Sequence, residues 1–294
     1  MNFLMVFATG VDRGKFCHVN AGNPYRKIDT IIQGQEREVA IIIKTAAEIA
    51  AMRQAGAVVA SILKILSSET RPGMTTRQLD EIAVKELVKY GAAPSFKGYR
   101  GFPAALCVSI NDEVVHGIPG DRVIQEGDLV SLDFGAMVEG FHGDAALTVG
   151  VGDISVQAKR LLETTRRCLE AAIAVARPGA RLTDISATIQ HCVESSNFSV
   201  VREYTGHGIG RAMHEEPQIP NFGLPGQGPV LRKGMTLAIE PMVNMGGWRT
   251  KVKSDHWTVV TADGSLSAHF EKTIAVTNGE AEVLTPWDSE LRKG

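Results

Sequence analysis

The sequence lacks several features that would indicate a specialised class of protein. It contains no Cys-x-x-Cys pair, no low-complexity tract and no coiled-coil heptad pattern. The formal net charge is only −2 at pH 7, so no basic field is available to attract nucleic acid or an anionic membrane. No apolar run of transmembrane length is evident. We therefore expect neither nucleic acid nor a membrane as a partner.

Cysteine is scarce, and its spacing bears on the compartment. Four cysteines are spread along the 294 residues: Cys17, Cys107, Cys168 and Cys192. This wide spacing argues against a disulfide framework and against a zinc finger. The apolar stretch 3–9 has neither a basic segment before it nor a cleavage site after it, which disfavours a secretory signal. A reducing compartment is the simpler interpretation, and we expect a cytoplasmic protein.

What is present is an ordinary globular composition, 44% hydrophobic and 22% charged, which can form a core without disulfides. Residues 1–40 show no clear periodicity. We expect them to be a disordered leader or the result of a start codon assigned too early. We expect residues 41–294 to form a single domain.

An internal repeat organises this domain. A helix with a capping box at Thr45 and Glu48 ends near Arg71-Pro72-Gly73, and a second helix runs to Gly91. The same pattern returns about 106 residues later, around Arg177-Pro178-Gly179. Each half then has a His-Gly-Ile sequence, a turn and a strand, which would make Asp133 equivalent to Glu240. The repeat predicts an α+β fold with halves at about 45–150 and 155–285 and a ligand between them.

Carboxylates lie where these apolar strands would bury a side chain. The alternation of residues 129–133 predicts a strand that ends at Asp133, and residues 141–149 predict the returning strand of a hairpin. A turn near residues 138–140 would bring Asp133 and Asp144 nearly opposite one another, where like charges are destabilising. A pair of divalent cations would turn this repulsion into ligation. Two solvated aspartates, or a carboxylate pair that shares a proton, are the alternatives.

Three further residues favour the metal interpretation. His207 lies in a Gly-His-Gly-Ile-Gly sequence, Glu240 ends an apolar strand, and Glu271 precedes another. Buried glutamates are costly unless they are paired or bind a metal. Four carboxylates and one imidazole form an oxygen-rich set that suits Mn²⁺, Fe²⁺ or Co²⁺ better than a structural zinc. The sequence therefore predicts two divalent metal ions that activate a water molecule.

Together these motifs resemble the type I methionine aminopeptidases, metallopeptidases of the pita-bread (creatinase/aminopeptidase) fold. The similarity runs from about residue 43 to residue 277. The matching segments are residues 109–119, Asp133, residues 141–144, residues 205–210, His214-Glu215, residues 240–242 and residues 257–261. The resemblance implies two halves related by a pseudo-two-fold axis around a central antiparallel sheet. It also implies a monomer that acts on the N-terminal methionine of nascent proteins, and ribosome proximity is plausible.

The resemblance also implies a role for each matching residue. The metal ligands would be Asp133, Asp144, His207, Glu240 and Glu271. His116 would contact the scissile nitrogen and His214 the carbonyl oxygen, while Glu240 would move a proton from the attacking, metal-bridging hydroxide to the leaving amine. The methionine pocket would be formed by Phe96, Tyr99, Phe102, Cys107, His116 and Trp257, with His214 beside the substrate.

Some positions depart from the family pattern. Met213 replaces a usual phenylalanine, His269 a usual glutamine, and Lys272 a usual histidine. Ala145 stands where threonine is common, and His256 where glycine is common. Because all five expected ligands are present, these changes affect the expected specificity, metal affinity and rate rather than the reaction class.

Two other functions fit the same fold. An X-Pro peptidase would carry a large additional N-terminal domain, which a leader of about 40 residues is too short to supply. A non-catalytic peptide-binding member should have lost ligands, and this chain keeps all five. The sequence does not fix the native metal, nor whether this is a housekeeping enzyme or a paralogue.

Overall fold

A computed structural model describes residues 40–288 of the chain. The prediction of a disordered or misassigned leader falls almost entirely on residues outside this range, and it stays a prediction. All the described residues belong to one compact unit.

The first half begins with two helices, α1 (Ala46–Glu69) and α2 (Thr76–Tyr90). The predicted capping box is present, since Thr45 accepts from the backbone of Glu48 and the Glu48 side chain accepts from the backbone of Thr45. Gly91 ends α2 in the left-handed conformation, as is usual at this position. The strands that follow are β1 (Ala93–Pro94), β2 (Leu106–Ile110), β3 (Glu113–Val115), β4 (Leu129–Val138) and β5 (Phe141–Gly150), with a 3-10 turn at Tyr99–Gly101.

The second half repeats this order with α3 (Val156–Val175) and α4 (Leu182–Glu194). Its strands are β6 (Ser199–Val200), β7 (Thr205–Gly208), β8 (Glu215–Pro220), β9 (Thr236–Ile239), β10 (Met242–Asn244), β11 (Thr250–Val252), β12 (Val259–Thr261), β13 (Ser267–His269), β14 (Glu271–Ala275) and β15 (Glu282–Val283).

The central sheet has nine strands among the described residues, paired antiparallel and centred on β4, β5, β14 and β9. In the first half β2 pairs β4, which pairs β5; in the second, β7 pairs β9, which pairs β14. The two triplets meet where β5 pairs β14. This order confirms the predicted pita-bread fold, an α+β architecture with two pseudo-two-fold related halves.

The loops repeat as closely as the strands. Gly73 donates a backbone hydrogen bond to Ile124, and Gly179 donates the equivalent bond to Leu231. Isolated bridges join Thr75 to Val123 and Arg181 to Val230. The two glycines have φ angles of 87° and 90°, a conformation that glycine adopts without steric cost.

The predicted equivalence of the two His-Gly-Ile sequences is wrong. In the second half, His207 pairs with Ala238 of β9. The first-half equivalent of Ala238 is Ser131 of β4, and Ser131 pairs with Ser109. His116 instead follows β3, outside the central sheet. The sequence likeness therefore does not reflect equivalent places in the fold.

The hairpin between β4 and β5 differs from its prediction by one residue. Val138 pairs with Phe141, so Glu139 and Gly140 alone form the turn, both with positive φ, as in a type I′ turn. Asp133 therefore pairs with Ala146 and not with a residue next to Asp144. Asp133 also lies in the middle of β4 rather than at its end. The two aspartates are diagonal neighbours, two positions apart along β5.

Helix α1 packs against β4 and β5. By length and composition alone it is apolar enough to cross a membrane, but the core helix of a globular domain has the same properties. More than half of its most apolar window is buried inside the domain, which is typical of a core helix. Its buried face includes Met52, Val59, Ile62, Leu63 and Leu66.

Cys168 of α3 and Cys192 of α4 form a disulfide. The expectation that the cysteines are reduced is wrong for this pair. The two residues are 24 apart in the sequence, and the packing of α3 on α4 brings their Cα atoms to 5.5 Å, within the usual range for a disulfide. Cys107 is free and buried.

Candidate metal centre and peptide site

The five predicted ligands lie on one face of the central sheet. Alternate residues of a strand face the same side, so Asp144 shares the face of Ala146. Ala146 pairs with Asp133 on one side and with Glu271 on the other. The pairing of β14 with β9 extends this face to Ala238 and Glu240, and Ala238 pairs with His207. The sheet register thus brings residues from both halves together at the junction between them.

The closest group within this set is Asp144, His207 and Glu271, whose ligating atoms all lie within 4.8 Å of one another. His207 Nε2 lies 3.8 Å from Asp144 Oδ2 and 3.6 Å from Glu240 Oε1. Its Nδ1 contacts the carbonyl of Gly208 at 2.9 Å, which leaves Nε2 to face the carboxylates. Such an outer hydrogen bond commonly orients a histidine ligand.

The carboxylates are buried without enough partners to satisfy them. Oxygens of Asp133, Asp144 and Glu271 have no hydrogen-bond partner among the described residues. Burial raises the pKa of Asp133 to about 7. Burial, followed by repulsion from the other carboxylates, raises the pKa values of Asp144, Glu240 and Glu271 well above their usual range. The protein by itself does not stabilise the ionised form of this set.

Divalent cations would resolve this arrangement. Four carboxylates and one imidazole are the donor types that hard and borderline cations prefer, and the unpaired oxygens point to ligands supplied from outside the chain. Burial lowers the pKa of His207 to about 4, so the imidazole is neutral at pH 7, the form that binds metal. The residues fit a site for divalent metal ions.

His116 and His214 flank this face, and both imidazoles are neutral at pH 7. Burial lowers the pKa of His116 to about 4. Burial, followed by repulsion from the neighbouring His207, lowers that of His214 to about 2. The rings of His207 and His214 lie 4.2 Å apart, and His214 Nδ1 lies 2.8 Å from the hydroxyl of Tyr99. His116 has a φ of 59°, a strained conformation that is frequent at functional sites.

The predicted pocket residues form one apolar cluster beside the ligands. Phe96, Phe102 and Cys107 are buried in it, with Tyr99 and Trp257 packed against them. Cys107 pairs directly with Asp133, a predicted ligand, across β2 and β4. Phe102 packs edge-on against Trp257 with ring centroids 5.1 Å apart. The structure therefore brings the predicted apolar pocket residues together next to the metal face.

Several residues next to the site were not predicted as site residues. Met213 belongs to the apolar cluster. Tyr204 stands edge-on to His116, with ring centroids 5.8 Å apart. Lys44 and Glu215 form a buried ion pair, and Glu215 also accepts from the backbone of Ala212, which secures the turn before His214. The position of Glu215 next to His214 was the available sequence signal, whereas Lys44 lies 171 residues away and carried none.

The chain is similar in sequence to known methionine aminopeptidases. A methionine aminopeptidase of Clostridium perfringens is 53% identical over 245 residues, which cover 83% of this chain and 98% of that protein. Methionine aminopeptidase 1 of Bacillus subtilis is 52% identical over 83% of this chain and 99% of its own length. The predicted resemblance to methionine aminopeptidases is thus confirmed.

Solved structures of related enzymes are similar in fold. A methionine aminopeptidase from Thermotoga maritima superposes with a TM-score of 0.83 at 51% identity, covering 84% of this chain and 99% of that one. A prolidase from Pyrococcus furiosus shares the fold at 22% identity and a TM-score of 0.68, and only 65% of that chain is covered. The sequence model of metallopeptidase family M24 matches residues 50–278. The chain therefore belongs to metallopeptidase family M24.

Proposed function

We propose that this metallopeptidase removes the N-terminal methionine from nascent proteins. The observation that carries the proposal is the set of five ligand-type residues on one sheet face, next to an apolar pocket that contains aromatic rings and a thiol. The close relatives named methionine aminopeptidase support the same substrate.

The proposed ligands hold two divalent ions, Mn²⁺, Fe²⁺ or Co²⁺. Asp133, Asp144, His207, Glu240 and Glu271 would hold these ions. When bound, such ions lower the pKa of a shared water and stabilise negative charge on the carbonyl oxygen. The buried position of these residues keeps bulk water from competing with the substrate.

The two flanking histidines orient the peptide. If the hydroxyl of Tyr99 donates to Nδ1 of His214, the proton of this neutral imidazole lies on Nε2, where it can be donated to the carbonyl oxygen of the substrate. His116, which packs beside Trp257, contacts the scissile nitrogen. A neutral donor in a buried site stabilises a developing oxyanion without the cost of burying a second cation.

Glu240 is the proton carrier in this proposal. Its side chain keeps 14% of its accessible surface, against 5% for Asp144, so it can exchange a proton with the substrate side. A carboxylate next to the attacking water can accept its proton and return it to the leaving amine.

The apolar cluster provides selectivity for methionine. The rings of Phe96, Phe102 and Trp257 suit a thioether because sulfur–aromatic contacts are favourable. Met213 adds a flexible side chain where the resembling enzymes usually have phenylalanine. We expect this change to alter the relative rates for different second residues rather than the requirement for methionine.

Assay of the purified protein tests the proposal. With Mn²⁺ or Co²⁺ added, a Met-Ala-Ser peptide should lose its methionine, and Asp133→Asn should abolish the release. Cleavage of an X-Pro peptide instead would identify the alternative peptidase. Tight peptide binding with no hydrolysis under any of the three metals would identify a non-catalytic member.

The cytoplasmic location, the monomeric state and proximity to the ribosome stay predictions. The substrate class favours the cytoplasm, where nascent chains emerge. The Cys168–Cys192 disulfide does not favour it, because disulfides are rare in reducing compartments.

A further inference from the structure

His269 is a buried histidine beside the sheet face that carries the proposed ligands. The proposed function gives it no role. Its side chain is 1% exposed, and neither ring nitrogen has a hydrogen-bond partner among the described residues. Leaving a buried polar group without a partner destabilises the fold. Such a group in a native protein needs an explanation, and a role in the reaction is one.

The framework fixes where this ring lies. Thr148 accepts a hydrogen bond from the backbone nitrogen of His269 at 2.9 Å and lies 2.8 Å from its carbonyl oxygen. On the other side His269 pairs with Met242, the second residue after Glu240. The main chain on both sides therefore holds the imidazole, independently of any bond that the ring makes.

The ring faces the proton carrier of the proposed reaction. His269 Nε2 lies 3.9 Å from Glu240 Oε2, while His207 Nε2 lies 3.6 Å from Glu240 Oε1. The Glu240 carboxylate is thus flanked by two imidazoles, one on each oxygen. The gap to His269 is longer than a hydrogen bond, and a shift of about 1 Å in the carboxylate would close it.

We propose that His269 is a positioning residue for Glu240. Its N–H donates to Oε2 when the metal site is filled, which fixes the rotation of the carboxylate and keeps Oε1 toward His207. A glutamine at this position would also carry an N–H donor, so it could serve the same bond. This inference rests on the proposed role of Glu240 as a ligand and proton carrier.

Three variants of the full chain test the role. His269→Leu removes the donor at similar volume, His269→Gln keeps a donor, and His191→Leu changes an exposed histidine of α4 as a matched control. Mn²⁺ affinity is measured by calorimetry, and kcat and KM are measured on a Met-Ala-Ser peptide. We expect His269→Leu to weaken Mn²⁺ binding and lower kcat by about 10-fold or more, the range for outer-shell partners of metal ligands. KM should change little, His269→Gln should stay near the parent, and the control should be unchanged.

Two further measurements separate this role from its alternatives. The visible spectrum of the Co²⁺ form reports the number of nitrogen ligands, and it should be the same for the parent and His269→Gln. A spectral change would show that His269 is itself a ligand and would overturn the positioning role. Higher thermal stability of His269→Leu with unchanged Mn²⁺ affinity would also overturn it, because the ring would then be a merely tolerated buried group.

The outcome is distinguishable from failure of the proposed function. If the parent binds Mn²⁺ but releases no methionine, the proposed reaction fails, while the Mn²⁺ affinities still test the contact. In a Glu240→Gln background, His269→Leu should cause little further loss of affinity, because contacting residues couple. A full additional loss there would contradict the inference.

Discussion

The two halves share a backbone plan but differ in what they contribute to the site and in how their helices are held together. Asp133 and Asp144 of the first half lie in a long hairpin, whereas His207 and Glu271 of the second lie in shorter strands and Glu240 directly follows one. In the second half Cys168 and Cys192 link the helices covalently, while the positions 106 residues earlier carry Ile62 and Glu86. The two halves therefore share the positions of their backbone elements but carry different side chains at those positions.

The largest expected effect comes from breaking either half of the ligand set. Asp144→Asn and Glu271→Gln, which lie on neighbouring strands of opposite halves, should each lower kcat/KM by at least about 100-fold, because each removes charge that holds the cations. Kinetics with saturating Mn²⁺ will measure this. Asn197→Gly, at an exposed position with a φ of 58° just after α4, serves as the control. Activity that survives loss of Glu271 but not of Asp144 would show that one half suffices.

Metal removal should make stability depend on pH at this junction. Burial raises the pKa of Asp133 to about 7 and raises those of the other three carboxylates. A carboxyl group whose pKa is raised in the folded protein does not lower the free energy of unfolding below its unfolded-state pKa of about 4. As pH rises from there through the folded-state pKa, the group lowers the free energy of unfolding.

The melting temperature of the metal-free protein should therefore fall between about pH 5 and pH 8. Added Mn²⁺ should remove this fall, and Asp133→Asn should reduce it. Calorimetry with and without a chelator measures the effect. A flat pH profile in the chelator would contradict the burial of these charges.

Loss of the disulfide, which lies in the second half, should lower stability without lowering activity. Cys192→Ser should reduce the free energy of unfolding by about 3 kcal/mol, because the bond closes a loop of 24 residues in the unfolded chain. Denaturant titration with and without reductant measures this, and kcat should stay within the error of the parent because α3 and α4 carry no site residue. Cys107→Ser in the same titration separates the effect of the bond from that of losing a thiol.

The smallest expected effect is a loss of stability that should be equal in the two halves. Gly73→Ala and Gly179→Ala replace glycines at φ angles of 87° and 90°, and neither new Cβ would meet an atom within 4 Å. Each change should therefore cost only the backbone strain, about 1 kcal/mol. Equal losses in thermal denaturation would support the equivalence of the two turns, and a difference of more than about twofold would show that their surroundings differ.

The repeat could be predicted because its signals are local. Capping residues, the Arg-Pro-Gly stops and the periodicity of the helices are all read within a few residues of the structure they produce. The identities of the five ligand-type residues were also accessible, because carboxylates in apolar strands are costly without a partner.

Features that depend on register or packing were not accessible. A turn displaced by one residue decides whether Asp133 and Asp144 share a face of the sheet, and only the two-residue turn at Glu139 and Gly140 places them together. The disulfide depends on how α3 packs on α4. The contact of His269 with Glu240 depends on the pairing of β13 with β10, which no local pattern indicates.

The ladder between β5 and β14 consists of two residue pairs, Glu271 with Ala146 and Lys272 with Ala145. This short connection lies at the axis that relates the halves, so a chain of half the length could complete the site only by self-association. Joining both copies in one polypeptide removes the need for identical subunits. The two sides need not be identical, so one side can carry aspartates where the other carries longer glutamates.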